Sequence, residues 1–188
     1  MQKTIDLVLD WRSTFGLLVD GGGSESDITL SKSLIEEELE EYTQAVLEED
    51  KIEQLDAIGD LFFVAVQLEC MYRKPTYKST ELNQTTISTA IDLLLSQEDN
   101  SFSRVVEVLN NLSKQLNVDL HDLVQEIYNS NMSKLCKDEQ TAQETVKEYT
   151  KKGVETYYKA CTTDSSKYII YRSEDNKVLK SVDFVEPD

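Results

Sequence analysis

Glycine and proline are scarce in this chain, 6 and 2 in 188 residues, which excludes a loop-rich all-β fold and a glycine-rich nucleotide-binding fold. Cysteine is scarce as well. Cys70, Cys136 and Cys161 are odd in number and nowhere spaced as CxxC. A disulfide framework and a structural zinc site are therefore not expected, and buried thiols are. The one histidine, His121, lies between Asp119 and Asp122 and reads as a surface residue. Positive charge is in deficit, with 19 Lys+Arg against 36 Asp+Glu, a net charge of -17. Such a balance excludes a duplex nucleic-acid binder, which needs a basic face, and docking on an anionic membrane. No apolar run approaches the ~20 residues of a membrane span. The N-terminus Met1-Gln2-Lys3-Thr4-Ile5-Asp6 lacks the apolar core of a secretory signal, so a cytoplasmic setting is expected.

What is present is helical. Hydrophobic residues make up 39% of the chain, enough for the core of one domain. Leu7, Val8, Trp11 and Phe15 recur at helical spacing over residues 3–15. Gly21-Gly22-Gly23-Ser24 reads as a flexible loop; with no strand before it and no GxxxxGK[ST], it is not a P-loop. Helices are predicted from Thr29 or Ser31 to Glu48 and from Lys51 to Tyr72, where Pro75 stops the second. Further helical spacing covers 84–96, 102–117, 119–135 and 139–152. After Gly153 the pattern becomes that of strands, at 154–158, 167–171 and a return at 177–180 around a Glu174-Asp175-Asn176 turn. The predicted fold class is mainly α: a helical bundle with a small C-terminal β-hairpin segment. One domain is expected over 1–188, helical through 152, with 153–188 as its β appendage.

The acids are not spread evenly. Residues 36–60 hold eleven acids and one base, Lys51, a local charge of -10. At about 100° per residue, Ile35, Leu39, Tyr42 and Val46 form an apolar stripe, and Glu38, Glu41 and Glu37 span an arc of roughly 100° beside it. Glu36 and Glu40 point further round, toward solvent. The next helix is apolar nearly all the way round, from Ile52 and Leu55 through Val66. Its interruptions, Glu53, Asp56 and Asp60, fall within about 60° of one another, and Gln67 continues the line. A carboxylate row on a buried helix must be paired, protonated or metal-bound. Hard oxygen donors without His or Cys suit Mg²⁺, with Mn²⁺ as substitute. Taken alone, the 36–41 run also reads as a solvated helix face. No EF-hand loop is present.

At these residues the chain resembles the all-α NTP pyrophosphohydrolase superfamily, in its MazG-like and phosphoribosyl-ATP pyrophosphohydrolase-like branch. Leu34 through Glu41 resembles that family's EExxE helix, and Asp56 through Val64 its second metal helix. Glu126 through Leu135 resembles its NxxK helix. Asp175-Asn176-Lys177-Val178-Leu179-Lys180, followed by Pro187-Asp188, resembles a C-terminal DGKVLK…PD signature. The resemblance implies hydrolysis of a nucleoside triphosphate to monophosphate and pyrophosphate in nucleotide house-cleaning. It also implies Mg²⁺ on acidic helices and a homodimer or dimer of dimers. Carried over, Glu37, Glu38, Glu41 and Asp60 match metal carboxylates, with Glu38 or Glu41 orienting the attacking water. The family's glutamate three residues before Asp60 is Ala57 here, so Glu53 or Asp56 would replace it. Asn131 and Lys134 match the NxxK and would bind phosphate or sugar. Arg172, Lys177 and Lys180 would bring further positive charge to the substrate.

Two other functions fit the same residues. One is a non-catalytic acidic helical protein, an interaction module or metal binder. The other is phosphoribosyl-ATP hydrolysis itself. Trp11, Phe15 and Tyr42 could stack a base, but helical spacing makes core the commoner explanation. The lysines at 177 and 180 could equally protect an edge strand.

Overall fold

The computed structural model describes residues 1–81 and 85–186. Among these are seven helices and one two-stranded sheet: α1 Gln2–Thr14, α2 Glu25–Leu47, α3 Lys51–Tyr72, α4 Ile87–Leu95, α5 Ser101–Gln115, α6 Leu120–Met132, α7 Glu139–Lys151, β1 Thr156–Ala160 and β2 Tyr168–Arg172. The fold is mainly α with a small antiparallel sheet near the C-terminus, as the periodicity predicts. The predicted helix start at Gln84 and the Pro187-Asp188 pair lie outside the described residues.

The described residues form two compact units. The first comprises Met1–Leu9 and Leu18–Gln125, and the second Asp10–Leu17 and Glu126–Asp188. The boundary passes through α1 and α6, and α7 groups with the two strands. In sequence the first unit holds 23 acids against 8 bases and the second 13 against 11. The acid excess is thus a property of the first unit.

In the first unit α2 and α3 form a helical hairpin. Ser24 and Asp27 make a reciprocal capping box, so α2 begins at Glu25, a turn earlier than apolar spacing alone predicts. Asp50 caps α3 by accepting from the N–H groups of Ile52 and Glu53. Beyond Ala57, α3 is buried on most sides, with Ile58, Leu61, Phe62, Ala65, Val66 and Leu68 fully covered. It packs against both α2 and α5. The glycine stretch is a strap, not a flexible loop. Gly21 N–H donates to Cys70 O at 2.8 Å and Gly23 N–H to Met71 O at 3.0 Å. A Cβ on Gly23 would stand 2.8 Å from Met71 Cβ, so only glycine lies this close to α3.

In the second unit, β1 and β2 pair with Tyr157 opposite Tyr171 and Tyr158 opposite Ile170. One face meets Phe15, Cys161 and Ile169, and the other Cys136, Ala142 and Ile170. The tyrosines serve strand packing: Tyr157 stacks on Tyr171 with centroids 5.3 Å apart. The predicted return at 177–180 reduces to one bridge, Tyr171 with Val178. Asn176 turns the chain in the left-handed region, φ 60°, as its place in the predicted turn requires.

Candidate metal centre

Two side-chain links set the register of the hairpin that carries the acids. Gln54 Nε2 donates to Ala45 O near the tip, and Gln67 Nε2 donates to Ser31 Oγ near the far end, each at 3.2 Å. Along that register Glu38 of α2 falls level with Asp60 of α3. Asp56 follows one turn nearer the tip.

Glu38 is the centre of the arrangement. It is half-buried, and its Oε2 is buried with no hydrogen-bond partner. Its carboxyl is pushed up from the ordinary value of 4.5 to about 8, and burial is the largest cause. The negative charges of Asp60, Glu41, Asp56 and Glu37 supply the rest of that shift, in that order. Five of the six carboxylates expected from sequence therefore share one electrostatic neighbourhood. An orphaned, buried carboxylate oxygen facing like charges is costly as it stands. A hard divalent cation is the partner that would relieve both costs together, and the all-oxygen donor set suits one. Among the described residues, no three acids, histidines or cysteines stand close enough as drawn to enclose an ion together. What the side chains provide is a field converging on one orphaned oxygen.

Glu53 differs from the others. It is exposed and is not among the charges that act on Glu38. Asp56 is also exposed, and Asp60 only half-buried. The expectation that Glu53 and Asp56 are embedded among apolar neighbours therefore needs correction. The buried stretch of α3 begins at Ala57, and Ile52 before it is 78% exposed. Apolar residues surround the first turn of α3 in sequence, yet Ile52 and Glu53 stay exposed there. Val46, assigned to the apolar stripe of α2, is likewise exposed, and Ala45 is buried in its place.

The basic and amide residues predicted to bind substrate belong to the second unit, in separate groups. Lys134 Nζ donates to Asn131 Oδ1 at 2.5 Å, so the NxxK pair meets at the end of α6. Arg172 grips Asp175 with two N–H donors, one at 2.8 Å from Nε, and this holds the Asp175 carboxyl well below the usual range. Lys177 is exposed, and its backbone N–H donates to Asp175 Oδ1 at 3.1 Å. Lys180 pairs with Glu186 at 2.8 Å and lies 4.2 Å from the Phe184 ring centroid. Sequence reasoning missed the Ser31–Gln67 link, although Gln67 continues the carboxylate line. His121, expected at the surface, is half-buried with Nδ1 3.1 Å from Thr4 Oγ1.

Comparison with known proteins bears on this hairpin directly. Residues 23–71 match the family model of phosphoribosyl-ATP pyrophosphohydrolase. The matched stretch encloses α2 and nearly all of α3, hence every carboxylate around Glu38. The resemblance to the all-α pyrophosphohydrolases is borne out there, and it supports a hydrolase of pyrophosphohydrolase type. The NxxK helix and the C-terminal signature lie outside the pyrophosphohydrolase match. An uncharacterized protein of Acanthamoeba polyphaga mimivirus, L479, is 28% identical over 204 aligned positions. That alignment covers 86% of this chain and 81% of the viral protein. No solved structure matches. Among the described residues no helix is long and apolar enough to cross a membrane.

Proposed function

We propose that the protein is a metal-dependent hydrolase of nucleoside triphosphates, releasing a monophosphate and pyrophosphate. The observation that carries this reading is the orphaned Glu38 carboxylate facing Asp60 inside the pyrophosphohydrolase segment. Glu37, Glu38, Glu41, Asp56 and Asp60 would hold Mg²⁺ or Mn²⁺, with Asp56 rather than Glu53 replacing the family's missing glutamate at Ala57. A bound cation would offset the charge of the triphosphate and lower the pKa of water. Glu38 or Glu41 would orient the attacking water and accept its proton. The water oxygen bonds to the α-phosphorus, the bond from that phosphorus to the bridging oxygen breaks, and pyrophosphate leaves. Positioning and charge stabilisation account for the rest of the rate.

In the second unit the reading assigns phosphate contact to Asn131 and Lys134. Arg172, Lys177 and Lys180 are proposed as further contacts, although Arg172 and Lys180 would have to exchange Asp175 and Glu186 for a ligand. A homodimer or dimer of dimers in the cytoplasm belongs to the same proposal. The exposure of Leu47 at 73% and Ile52 at 78% supports association at the hairpin tip. The description of the matching family favours one second reading, phosphoribosyl-ATP as the substrate.

A panel of NTPs, dNTPs and phosphoribosyl-ATP with Mg²⁺ or Mn²⁺ separates these readings. Monophosphate and pyrophosphate are the expected products. Diphosphate and orthophosphate would refute the mechanism. Absence of turnover on the whole panel, with no metal-induced shift in melting temperature, would leave an acidic non-catalytic helical protein.

A further inference from the structure

The two-stranded sheet of the second unit has one closed edge and one open edge. Glu155 O accepts from Ser173 N–H, and Cys161 N–H donates to Lys167 O. Together with the register that sets Tyr157 opposite Tyr171, these bonds fix the phase of the ladder. Tyr157 and Lys159 bond inward to β2, and the N–H and C=O groups of Thr156, Tyr158 and Ala160 point outward. On β2 the outward residues are Tyr168, Ile170 and Arg172, and each is engaged. Tyr168 exchanges two bonds with Cys136, Ile170 O accepts from Leu179 N–H, and Arg172 N–H donates to Lys177 O. On β1 no described residue meets the outward groups. None of the five residues of β1 is buried, and Lys159 and Ala160 are exposed. An unpaired row of backbone groups is a template for another strand.

We propose that β1 pairs antiparallel with β1 of a second copy of this chain, about a two-fold axis through Tyr157, so that the two sheets become one of four strands. Pairing about such an axis is isologous, and each residue meets one of the same strand. The charges of the strand choose where the axis passes. Glu155 and Lys159 stand two residues to either side of Tyr157. Centred on Tyr157, Glu155 of each copy faces Lys159 of the other, and the two Tyr157 rings face each other. Centred on Lys159, the two lysines would oppose one another, and no other centre within the strand brings the opposite charges together. Both residues are exposed, and among the described residues neither stands in an ion pair. The Lys159 ammonium lies instead 5.2 Å from the Tyr157 ring centroid and 5.8 Å from that of Tyr171. In this register Thr156 of each copy exchanges both backbone bonds with Tyr158 of the other. Glu155, Tyr157 and Lys159 then fall at the positions of the new ladder where facing side chains come closest. Tyr157 and Tyr171 already stack with rings 20° apart, so the pairing carries that aromatic row across the axis. An extended peptide of arbitrary sequence would satisfy the backbone groups but not the charges, and a second copy satisfies both. This contact stands apart from the hairpin tip of the first unit and from the hydrolysis reading.

Amide exchange of the full-length protein, resolved by residue with NMR over a dilution series, reads this edge whatever the hairpin tip does. The N–H groups of Tyr157 and Lys159 should be protected at every concentration, because β2 holds them. Those of Thr156 and Tyr158 should gain protection as concentration rises. Glu155→Lys and Lys159→Glu each set like charges opposite one another at two places and should weaken the association by about tenfold. An equimolar mixture of the two variants restores opposite charges at both places and should recover the wild-type protection. Only pairing between chains in this register predicts that recovery. The inward amides of Tyr157 and Lys159 check in the same spectra that each variant stays folded. Fast exchange of the outward amides at every concentration overturns the proposal. So does protection that neither dilution nor either variant changes, which would place the cover within one chain. Protection that rises with concentration equally in wild type and both variants would mean an edge that accepts any strand, and it overturns the proposal too. Failure of the mixture to recover what the single variants lose has the same force.

Discussion

Replacing Glu38 by glutamine removes a carboxylate that the fold crowds with like charge and buries. With its carboxyl raised from 4.5 to about 8, Glu38 binds a proton more tightly in the folded chain than in the unfolded one. Its stabilising contribution is therefore complete below pH 4.5 and is lost as pH rises through about 8. At 1.36 kcal/mol per pH unit the ceiling is roughly 5 kcal/mol. Glu38 is only half-buried, and solvent screening reduces this to about 2 kcal/mol. For a chain of this size that is about 4–8 °C in melting temperature. The assay is thermal or urea unfolding in EDTA between pH 5 and 8, for wild type and Glu38→Gln side by side. The variant should match the wild type near pH 5 and exceed it by about 2 kcal/mol at pH 8. Groups that titrate alike in both proteins cancel in the difference. Millimolar Mg²⁺ at pH 8 should then stabilise the wild type and leave Glu38→Gln nearly unmoved. Parallel pH profiles for the two proteins would refute the assignment of Glu38 as the buried, like-charge-crowded carboxyl.

Four further outcomes follow from the structure. Asp60→Asn should abolish pyrophosphate release while leaving the far-ultraviolet dichroism unchanged. Asp56→Asn should weaken Mg²⁺ binding by at least about tenfold, and Glu53→Gln by less than about twofold, measured by calorimetry. Reversal of that order would return the replacement role to Glu53. Gly23→Ala should cost about 1–3 kcal/mol in urea unfolding, because the new methyl meets Met71 at 2.8 Å and both backbones are pinned by the strap. Leu47→Gln with Ile52→Gln should change unfolding free energy by under ~0.5 kcal/mol per site at high dilution, yet shift the sedimentation mass toward a monomer. An unchanged mass would remove the hairpin tip from any subunit contact.

Local signals in the sequence were enough for most of the helices. Asp50 and Pro75 bracket α3, and its bounds emerge as predicted because cap and stop are both chemical facts of nearby residues. The start of α2 was equally legible in Ser24 and Asp27, but apolar spacing alone passes over a capping box. The grouping of Glu37, Glu38, Glu41, Asp56 and Asp60 also followed from helical angle, since two amphipathic helices joined by a short turn have few ways to face each other. Burial was the part that periodicity could not supply. Ile52, Leu55 and Glu53 look like parts of a helix covered all round, yet coverage depends on what packs there in three dimensions, and Ile52 and Glu53 stay exposed while Leu55 is half-buried. Nor could spacing place Trp11 against Lys134, because 123 residues separate them and only tertiary packing brings α1 to the end of α6 within that unit.

The three cysteines, none in a disulfide and all buried, give this protein a built-in clock. A thiol reacts as its thiolate and only where reagent can reach it, so labelling each sulfur waits for the surrounding structure to open. Cys70 lies in the first unit, and Cys136 and Cys161 in the second. Modification rates at the three sulfurs, read by peptide mass, would therefore time the opening of the two units separately, in one tube and without any engineered probe. A Mg²⁺-dependent slowing confined to Cys70 would register metal on the acidic hairpin as a change in breathing, before any substrate is added.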